Sequence, residues 1–217
     1  AGRIVYDGPI YARARSPQIS DRGHRWVSVG DLTQHSNFTQ QRGSPAVYVE
    51  HLDAGYNGAS VLRDISLEIK QGEFVAIMGD NGSGKTTFLQ SLLGLHQPDH
   101  GWVEVLGQDT CTTPTSQLAR QVGFVFQNPD HQLFAETVWK EATFAPHNFG
   151  ALDARARAEA GHLLARCGLG DRYADHPYHL SYGEKRRLNV VSVLTYNPQL
   201  ILLDEVLIGQ DAENANF

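Results

Sequence analysis

A glycine-rich segment at residues 79–86 constrains the fold more than any other part of this sequence. Its residues run Gly-Asp-Asn-Gly-Ser-Gly-Lys-Thr and match the pattern G-x-x-x-x-G-K-S/T. The apolar run before it, residues 73–78, predicts a parallel strand that is buried on both faces. The apolar spacing of residues 86–93 predicts a helix that ends at Gly94. A strand, a glycine loop and a helix in this order are typical of an α/β fold that binds phosphate.

The chemistry of this loop suits a nucleoside triphosphate bound with magnesium. Glycines let backbone N–H groups turn inward around phosphate oxygens, and the helix N-terminus adds a partial positive charge. Lys85 supplies a fixed charge to the β and γ phosphates, and the Thr86 hydroxyl is a Mg²⁺ ligand. The loop residues predicted to bind nucleotide are Gly79, Asn81, Gly82, Ser83, Gly84, Lys85, Thr86 and Thr87. By itself, the loop leaves kinases, GTPases and motor ATPases open as alternatives.

Strand and helix patterns alternate over much of the remaining chain. Further strands are predicted at residues 46–52, 61–69, 102–106, 122–126 and 200–203. The last of these is an apolar run that we expect to be buried. Further helices are predicted at residues 151–167 and around Leu188, Val191 and Leu194. This alternation predicts an α/β fold with a largely parallel core sheet.

Composition narrows the class of protein. The chain has 217 residues, and its formal net charge of −6 argues against a binder of nucleic acid. The basic part is the N-terminal stretch, where residues 1–45 carry six Arg and three Asp. The two cysteines form neither a disulfide framework nor a zinc-ligand spacing, which is typical of a reducing compartment. No apolar run approaches the roughly 20 residues that span a bilayer.

An acidic pair follows the apolar run at residues 200–203. Asp204 and Glu205 would lie at the carboxyl end of a parallel strand, where open α/β sheets bind ligands. An aspartate there can hold Mg²⁺ through water, and the adjacent glutamate can orient or deprotonate an attacking water. Combined with the phosphate loop, this pair favours nucleotide hydrolysis over a solvated acidic turn.

A third motif lies between the loop and the acidic pair, and it reads Leu-Ser-Tyr-Gly-Glu-Lys-Arg-Arg at residues 180–187. It resembles the L-S-G-G-Q signature of the ABC ATPase family, with Tyr182 in place of a glycine and Glu184 in place of the glutamine. The resemblance implies that Ser181, Gly183 and Glu184 contact the nucleotide bound to an opposite ABC domain. It also implies ATP and Mg²⁺ as the cofactors and ATP hydrolysis as the activity.

Further residues match the family in chain order. Tyr56 resembles the aromatic residue that stacks on adenine, and Gln127 resembles the Q-loop glutamine that contacts Mg²⁺ or the attacking water. Residues 209–211, Gly-Gln-Asp, resemble the D-loop, although Val206 stands where the family usually has proline. The implied catalytic residues are Glu205, Gln127 and Lys85, and the implied Mg²⁺ ligands are Thr86, Gln127 and Asp204.

The segment Phe-Gln-Asn-Pro-Asp-His-Gln-Leu-Phe at residues 126–134 is similar to the Q-loop segment of energy-coupling-factor transporter ATPases, which power uptake of vitamins or metal ions. That resemblance implies two kinds of partner, a second ABC domain and integral membrane proteins bound through a coupling helix. Leu133 and Phe134 belong either to the groove for that helix or to the core of a helical subdomain. Another ABC transporter, or a soluble ABC protein that acts on ribosomes or DNA, is the alternative. The expected location is the cytoplasmic face of a bacterial or archaeal cell membrane.

The resemblance also sets the expected domain organisation. The ABC domain covers about residues 46–217, with antiparallel N-terminal strands and a helical subdomain at about 128–195, after a linker at residues 10–45. Residues 1–9 resemble the final hairpin of a preceding ABC domain, so the intact protein would be a tandem ATPase. No histidine follows Asp204, where the family has its switch histidine. We therefore interpret the chain as C-terminally truncated and expect it to hydrolyse ATP poorly.

Overall fold

The computed structural model describes residues 45–204, which form two compact units that divide after Thr112. The first unit contains β1 (Pro45–Tyr56), β2 (Ala59–Lys70), α1 (Lys85–Leu92), β3 (His100–Val105) and β4 (Gln108–Asp109). The second contains α2 (Thr115–Leu118), β5 (Val122–Val125), α3 (Val138–Asn148), α4 (Ala154–Arg166), α5 (Tyr182–Leu194) and β6 (Leu200–Leu203), with 3₁₀ turns at Pro129–His131 and Pro177–His179. The interpretations of residues 1–44, of Glu205 and of residues 206–217 lie outside the described residues.

The first unit is built on a four-stranded antiparallel sheet with the strand order β2-β1-β3-β4. A two-residue turn, Asn57-Gly58, joins β1 to β2, and its φ angles of 51° and 78° suit the hairpin turn that Asn-Gly favours. α1 contacts β1, β2 and β3, and its Phe88 and Leu92 are buried. The strands predicted at residues 46–52, 61–69 and 102–106 are present, with somewhat different ends.

The strand predicted at residues 73–78 is wrong. The segment has no strand pairing among the described residues, and the side chains of Phe74 and Met78 are 71% and 85% exposed. An apolar run favours burial, but a strand also needs a neighbour that accepts and donates its backbone hydrogen bonds. Within the described part of the first unit, β1 to β4 pair only with one another.

The second unit contains a parallel pair of strands, β5 and β6. Val122 lies opposite Leu200, and Val125 lies opposite Leu203. In β6, Leu202 is buried, whereas Ile201 and Leu203 are exposed. Because successive side chains of a strand point to opposite faces, residues 45–204 cover only one face of β6, and over these residues the expected burial of the whole strand is wrong.

The longer helices of the second unit pack around one apolar cluster. Its buried members are Leu133, Val138, Ala142, Leu164, Leu169, Leu180, Leu188 and Val191. α4 begins later than residue 151 because the Asp153 side chain caps it, accepting a hydrogen bond from the Ala156 N–H at 2.8 Å. The strands and helices agree with the predicted α/β fold class and its antiparallel N-terminal strands. Over residues 45–204, no helix has the length and apolar character needed to cross a membrane.

Candidate nucleotide-binding site

The glycine-rich loop leads directly into α1, which begins at Lys85. Gly82 and Gly84 have φ angles of 79° and 99°, a region that residues with a Cβ rarely adopt. A Cβ at Gly84 would also lie 2.8 Å from Leu62 Cδ2 and 2.9 Å from Val61 Cγ1. Glycine at these positions therefore sets the path of the chain into the helix, whose first N–H groups have no partner within the helix itself.

The Lys85 side chain folds over the backbone of the same loop. Its Nζ donates to the carbonyl oxygens of Gly79 at 2.9 Å and Asp80 at 3.0 Å. The Ser83 N–H donates to the Asp80 carbonyl oxygen at 3.1 Å, which closes the turn. A cation thus lies beside the N-terminus of α1, and both charges favour phosphate.

The Ser83 hydroxyl is a buried polar group inside the loop. Its Oγ has no hydrogen-bond partner in the described structure, and a Cβ added at Gly79 would lie 2.6 Å from it. An unsatisfied buried donor costs about 1–3 kcal/mol, so a ligand with acceptor oxygens would relieve this cost. The loop therefore fits a phosphate group. Of the other predicted binding residues, Asn81 and Thr86 are exposed, whereas Thr87 is buried in α1.

Tyr56, the predicted adenine-stacking residue, lies in the same unit as the loop. It is the last residue of β1, opposite Ala59, and its side chain is partly exposed. The hydroxyl donates to Gln90 Oε1 on α1 at 3.1 Å, and the ring centroid lies 4.5 Å from that of His96. The sequence predicted neither neighbour, because no local pattern connects a tyrosine to residues more than 30 positions later.

In the second unit, Gln127 and Asp204 follow two paired strands. Val125 of β5 lies opposite Leu203 of β6, and the Asp204 N–H donates to the Val125 carbonyl oxygen at 3.0 Å. Both residues therefore lie at the carboxyl edge of this parallel pair, where the sequence places them. Asp204 is buried and Gln127 is exposed. Glu205, the predicted base, lies outside the described residues.

The signature segment forms the start of α5. Ser181 is the N-cap, and its Oγ accepts a hydrogen bond from the Glu184 N–H at 3.3 Å. In return, the Glu184 carboxylate accepts from the Ser181 N–H and hydroxyl, each at 2.8 Å. This reciprocal capping box holds the exposed Ser181 at the positive end of the helix. Gly183 lies in the first turn, where a Cβ would meet only Arg187 Nη1, at 3.7 Å.

Arg186 is a buried side chain for which the sequence predicted no separate role. Its Nη2 donates to the Gln127 carbonyl oxygen at 2.9 Å and to the Tyr182 hydroxyl at 3.1 Å. Its guanidinium also lies 5.1 Å from the centroid of the Tyr182 ring. Arg186 therefore ties the start of α5 to the backbone at Gln127. The only sequence signal was its position five residues after Ser181, which does not reveal a partner 59 positions earlier.

Leu133 and Phe134 have different environments, although they are adjacent in the sequence. Leu133 is buried in the apolar cluster, so for this residue the core interpretation is confirmed. Phe134 is 61% exposed, and its ring packs edge-to-face against Phe144, which is 41% exposed, with 4.5 Å between centroids. We call Phe134 and Phe144 the aromatic pair. Glu141 fixes the chain beside it by accepting the N–H groups of Phe134 and Ala135 at 2.9 and 2.7 Å.

Comparisons with known proteins agree with these motifs. Residues 62–207 match the ABC transporter family. A putative ABC transporter ATP-binding protein of Methanosarcina mazei is 39% identical over 191 residues, which are 86% of this chain and 38% of that protein. The putative HMP/thiamine import ATP-binding protein YkoD of Bacillus subtilis is 35% identical over 173 residues, which are 80% of this chain and 31% of that protein.

The fold of this chain is also similar to that of a solved ABC transporter subunit. The structure of cbiO1 from Clostridium perfringens, described as part of the ABC transporter complex cbiONQ, has a TM-score of 0.68 to this chain. The two are 31% identical, and the match covers 78% of this chain and 69% of that one.

The family match extends over the phosphate loop, the signature, β6 and Asp204. The chain spans only about a third of the length of the curated relatives it matches, between 27% and 38% for the first four. The ATP-binding domains of this family are ATPases. The chain belongs to the ABC transporter family, and it contains the family's ATP-binding domain.

Proposed function

We propose that this protein is the ATP-binding and hydrolysing subunit of an ABC importer of the energy-coupling-factor type, which powers uptake of a vitamin or a metal ion. The observation that carries the ATPase part is the loop around Lys85, where a cation, a helix N-terminus and the orphaned Ser83 hydroxyl converge. The similarity to YkoD and to cbiO1, together with residues 126–134, supports the importer part.

Each predicted site residue has a distinct task in this proposal. The loop N–H groups and Lys85 hold the β and γ phosphates, and Thr86, Gln127 and Asp204 are the residues that would hold Mg²⁺. The metal ion, when bound, neutralises charge that develops on the phosphate oxygens. Glu205 accepts a proton from water as the water oxygen attacks the γ phosphorus in line, and the bond to the β–γ bridging oxygen breaks to release ADP.

A second ABC domain completes the site in this proposal. Ser181, Gly183 and Glu184 would contact the nucleotide held by the phosphate loop of that other domain, and its signature would contact the nucleotide held here. Ser181 is exposed at the N-terminus of α5, and the partial positive charge of that helix end favours an anion. Closing and reopening of the two domains would drive the membrane partners, and the proposed location is the cytoplasmic face of the membrane.

Replacing Lys85 tests the assignment of the nucleotide site. A hydrogen bond to a charged group contributes about 1.5–3 kcal/mol, so Lys85→Ala should weaken Mg-ATP binding by about 10- to 100-fold. Calorimetric titration of purified protein measures this change. Lys70→Ala, which removes an exposed lysine at the end of β2, is the matched control and should bind ATP like the wild type. Equal affinity in the Lys85→Ala protein would refute the proposed site.

The hydrolytic role of Glu205 has a separate test in the intact protein. Glu205→Gln should bind ATP normally but hydrolyse it at least about 100-fold more slowly, because the amide cannot accept the proton. Release of inorganic phosphate at saturating ATP measures the rate. Turnover at the wild-type rate would show that another group is the base.

A further inference from the structure

Tyr56 contacts two other side chains of the first unit, and we call Tyr56, Gln90 and His96 the tyrosine cluster. Of these, only Tyr56 has a predicted role, which is stacking on adenine. The Gln90 side chain accepts the Tyr56 hydroxyl at 3.1 Å, and the His96 ring lies 4.5 Å from the Tyr56 ring at an interplanar angle of 42°. The Gln90 carbonyl oxygen also accepts the N–H groups of Leu95 and His96, at 3.0 and 3.3 Å. One residue of α1 therefore positions both rings.

The hairpin between β1 and β2 limits the motion of Tyr56 from the other side. Tyr56 precedes the Asn57-Gly58 turn directly and pairs with Ala59 across it. With His96 against one part of the ring and the hydroxyl bonded to Gln90, 46% of the Tyr56 side chain is still exposed. The exposed part is an aromatic surface whose orientation is tied to the helix that follows the phosphate loop.

The His96 imidazole has a buried polar atom that does not stabilise the fold. Its Nε2 is buried and has no hydrogen-bond partner among the described residues. Burying an unsatisfied nitrogen is unfavourable, so an apolar side chain of similar size would suit the fold at least as well. The ring contact that the His96 side chain does make is with Tyr56.

We propose that His96 is a positioning residue for the nucleotide base, because it packs against Tyr56 and, with Gln90, holds the exposed part of the tyrosine ring ready to stack on adenine. The inference rests on the proposed function, since the base belongs to the ATP bound by the loop. Stacking between planar rings contributes most when the platform is already oriented, because no side-chain entropy is then lost on binding.

The test measures separately how the adenine base and the phosphates contribute to binding affinity. Affinities for Mg-ATP and for inorganic tripolyphosphate with Mg²⁺, which lacks base and ribose, are measured by calorimetry on the wild-type chain and on His96→Leu. An aromatic contact is worth up to about tenfold in affinity, so His96→Leu should bind ATP about 3- to 10-fold more weakly. Its affinity for tripolyphosphate should change by less than about twofold, and its thermal unfolding temperature should not fall.

Two further variants sharpen the outcome. His96→Phe keeps an aromatic ring against Tyr56 and should restore ATP affinity to within about twofold of the wild type. His162→Leu removes an exposed histidine of α4 and should leave both affinities unchanged.

An unchanged ATP affinity in His96→Leu would overturn the inference. An equal loss of affinity for ATP and for tripolyphosphate would also overturn it, because it would indicate a purely structural role for His96. Wild-type protein that binds neither ligand would overturn the proposed function and the inference together. A third outcome is that Lys85→Ala weakens Mg-ATP binding while His96→Leu binds Mg-ATP like the wild type. This outcome would refute the inference alone and leave the proposed function intact.

Discussion

Among single residues, Glu184 shows how a departure from the family signature is accommodated. The N–H of Ser181 is the main cause that lowers the pKa of the Glu184 carboxyl, followed by the Ser181 hydroxyl and the charge of Arg172, whose Nη1 lies 3.6 Å away. The side chain is therefore ionised at neutral pH, where its charge also suits the N-terminus of α5. Glu184 carries a negative charge at the position where the family has a neutral glutamine. The Ser181 N–H and hydroxyl stabilise this charge by hydrogen bonding to the carboxylate.

The lowered pKa predicts an acid-sensitive contribution to stability. A carboxyl whose folded pKa is lowered stabilises the fold above its unfolded pKa of about 4.3, and this contribution is lost as the pH falls through the folded pKa. Glu184→Gln keeps the capping box but loses the charge, so at pH 7 it should lower the free energy of unfolding by up to about 1 kcal/mol. Below the folded pKa, wild type and variant should converge.

Denaturant unfolding at pH 7 and at acid pH measures this difference. Glu159→Gln, which changes an exposed glutamate on α4, is the matched control and should show no comparable pH dependence relative to the wild type. A difference between Glu184→Gln and wild type that stays the same at both pH values would contradict the assigned cause.

Considered as elements, the turn after β2 and the phosphate loop before α1 depend on glycine for different reasons. Gly84 combines a φ of 99° with close neighbours on β2, whereas Gly72 has a φ of 81° and no atom within 4 Å of an added Cβ. At Gly72 only the backbone conformation requires glycine. At Gly84 the conformation and the packing both require it, because the start of α1 lies directly against Val61 and Leu62.

Alanine substitutions at these two glycines separate the two effects. Gly72→Ala should lower the free energy of unfolding by about 1–2 kcal/mol, the cost of a left-handed conformation for a residue with a Cβ. Gly84→Ala should lower it further, and it should abolish ATP binding because the loop must shift to relieve the contacts. Chemical denaturation and ATP titration measure both quantities. ATP affinity retained in Gly84→Ala would show that the loop tolerates this shift.

On the scale of the whole molecule, the two units carry different parts of the proposed chemistry. The first holds the phosphate loop and the tyrosine cluster, and the second holds Gln127, Asp204, the signature and the aromatic pair. Neighbouring exposed apolar side chains that form a continuous patch are typical of sites where a partner binds. The aromatic pair fits the proposed contact with a coupling helix of a membrane protein, and Glu141 holds the chain beside it in place.

Removing one ring of the aromatic pair tests this contact in the intact protein. Phe134→Ser should leave the fold and ATP binding intact, because Phe134 is exposed, but it should reduce recovery of integral membrane partners. Co-purification from detergent-solubilised membranes measures this recovery. Trp102→Ser, at an exposed aromatic of β3, is the matched control and should retain the partners. A small integral substrate-capture protein among the partners supports the energy-coupling-factor type, and full recovery with Phe134→Ser would rule out the contact.

Local patterns predicted much of the fold and of the site. The strands β1, β2, β3, β5 and β6 and the helices α1 and α5 lie where period and motif placed them, whereas β4 and α3 were not predicted. The strand predicted at residues 73–78 is wrong because an apolar run does not specify a pairing partner. Likewise, the part of the chain that the structure describes buries only one face of β6, since the covering of a strand depends on what packs against it and not on its own composition.

By itself, the sequence determined the phosphate loop and the helix that follows it, because these depend on interactions between residues a few positions apart. Only the tertiary structure decided that Leu133 is core while Phe134 is exposed, that Arg186 binds the backbone of Gln127, and that Gln90 and His96 hold Tyr56. These contacts join residues far apart in the chain, so they exist only once strands and helices are packed together.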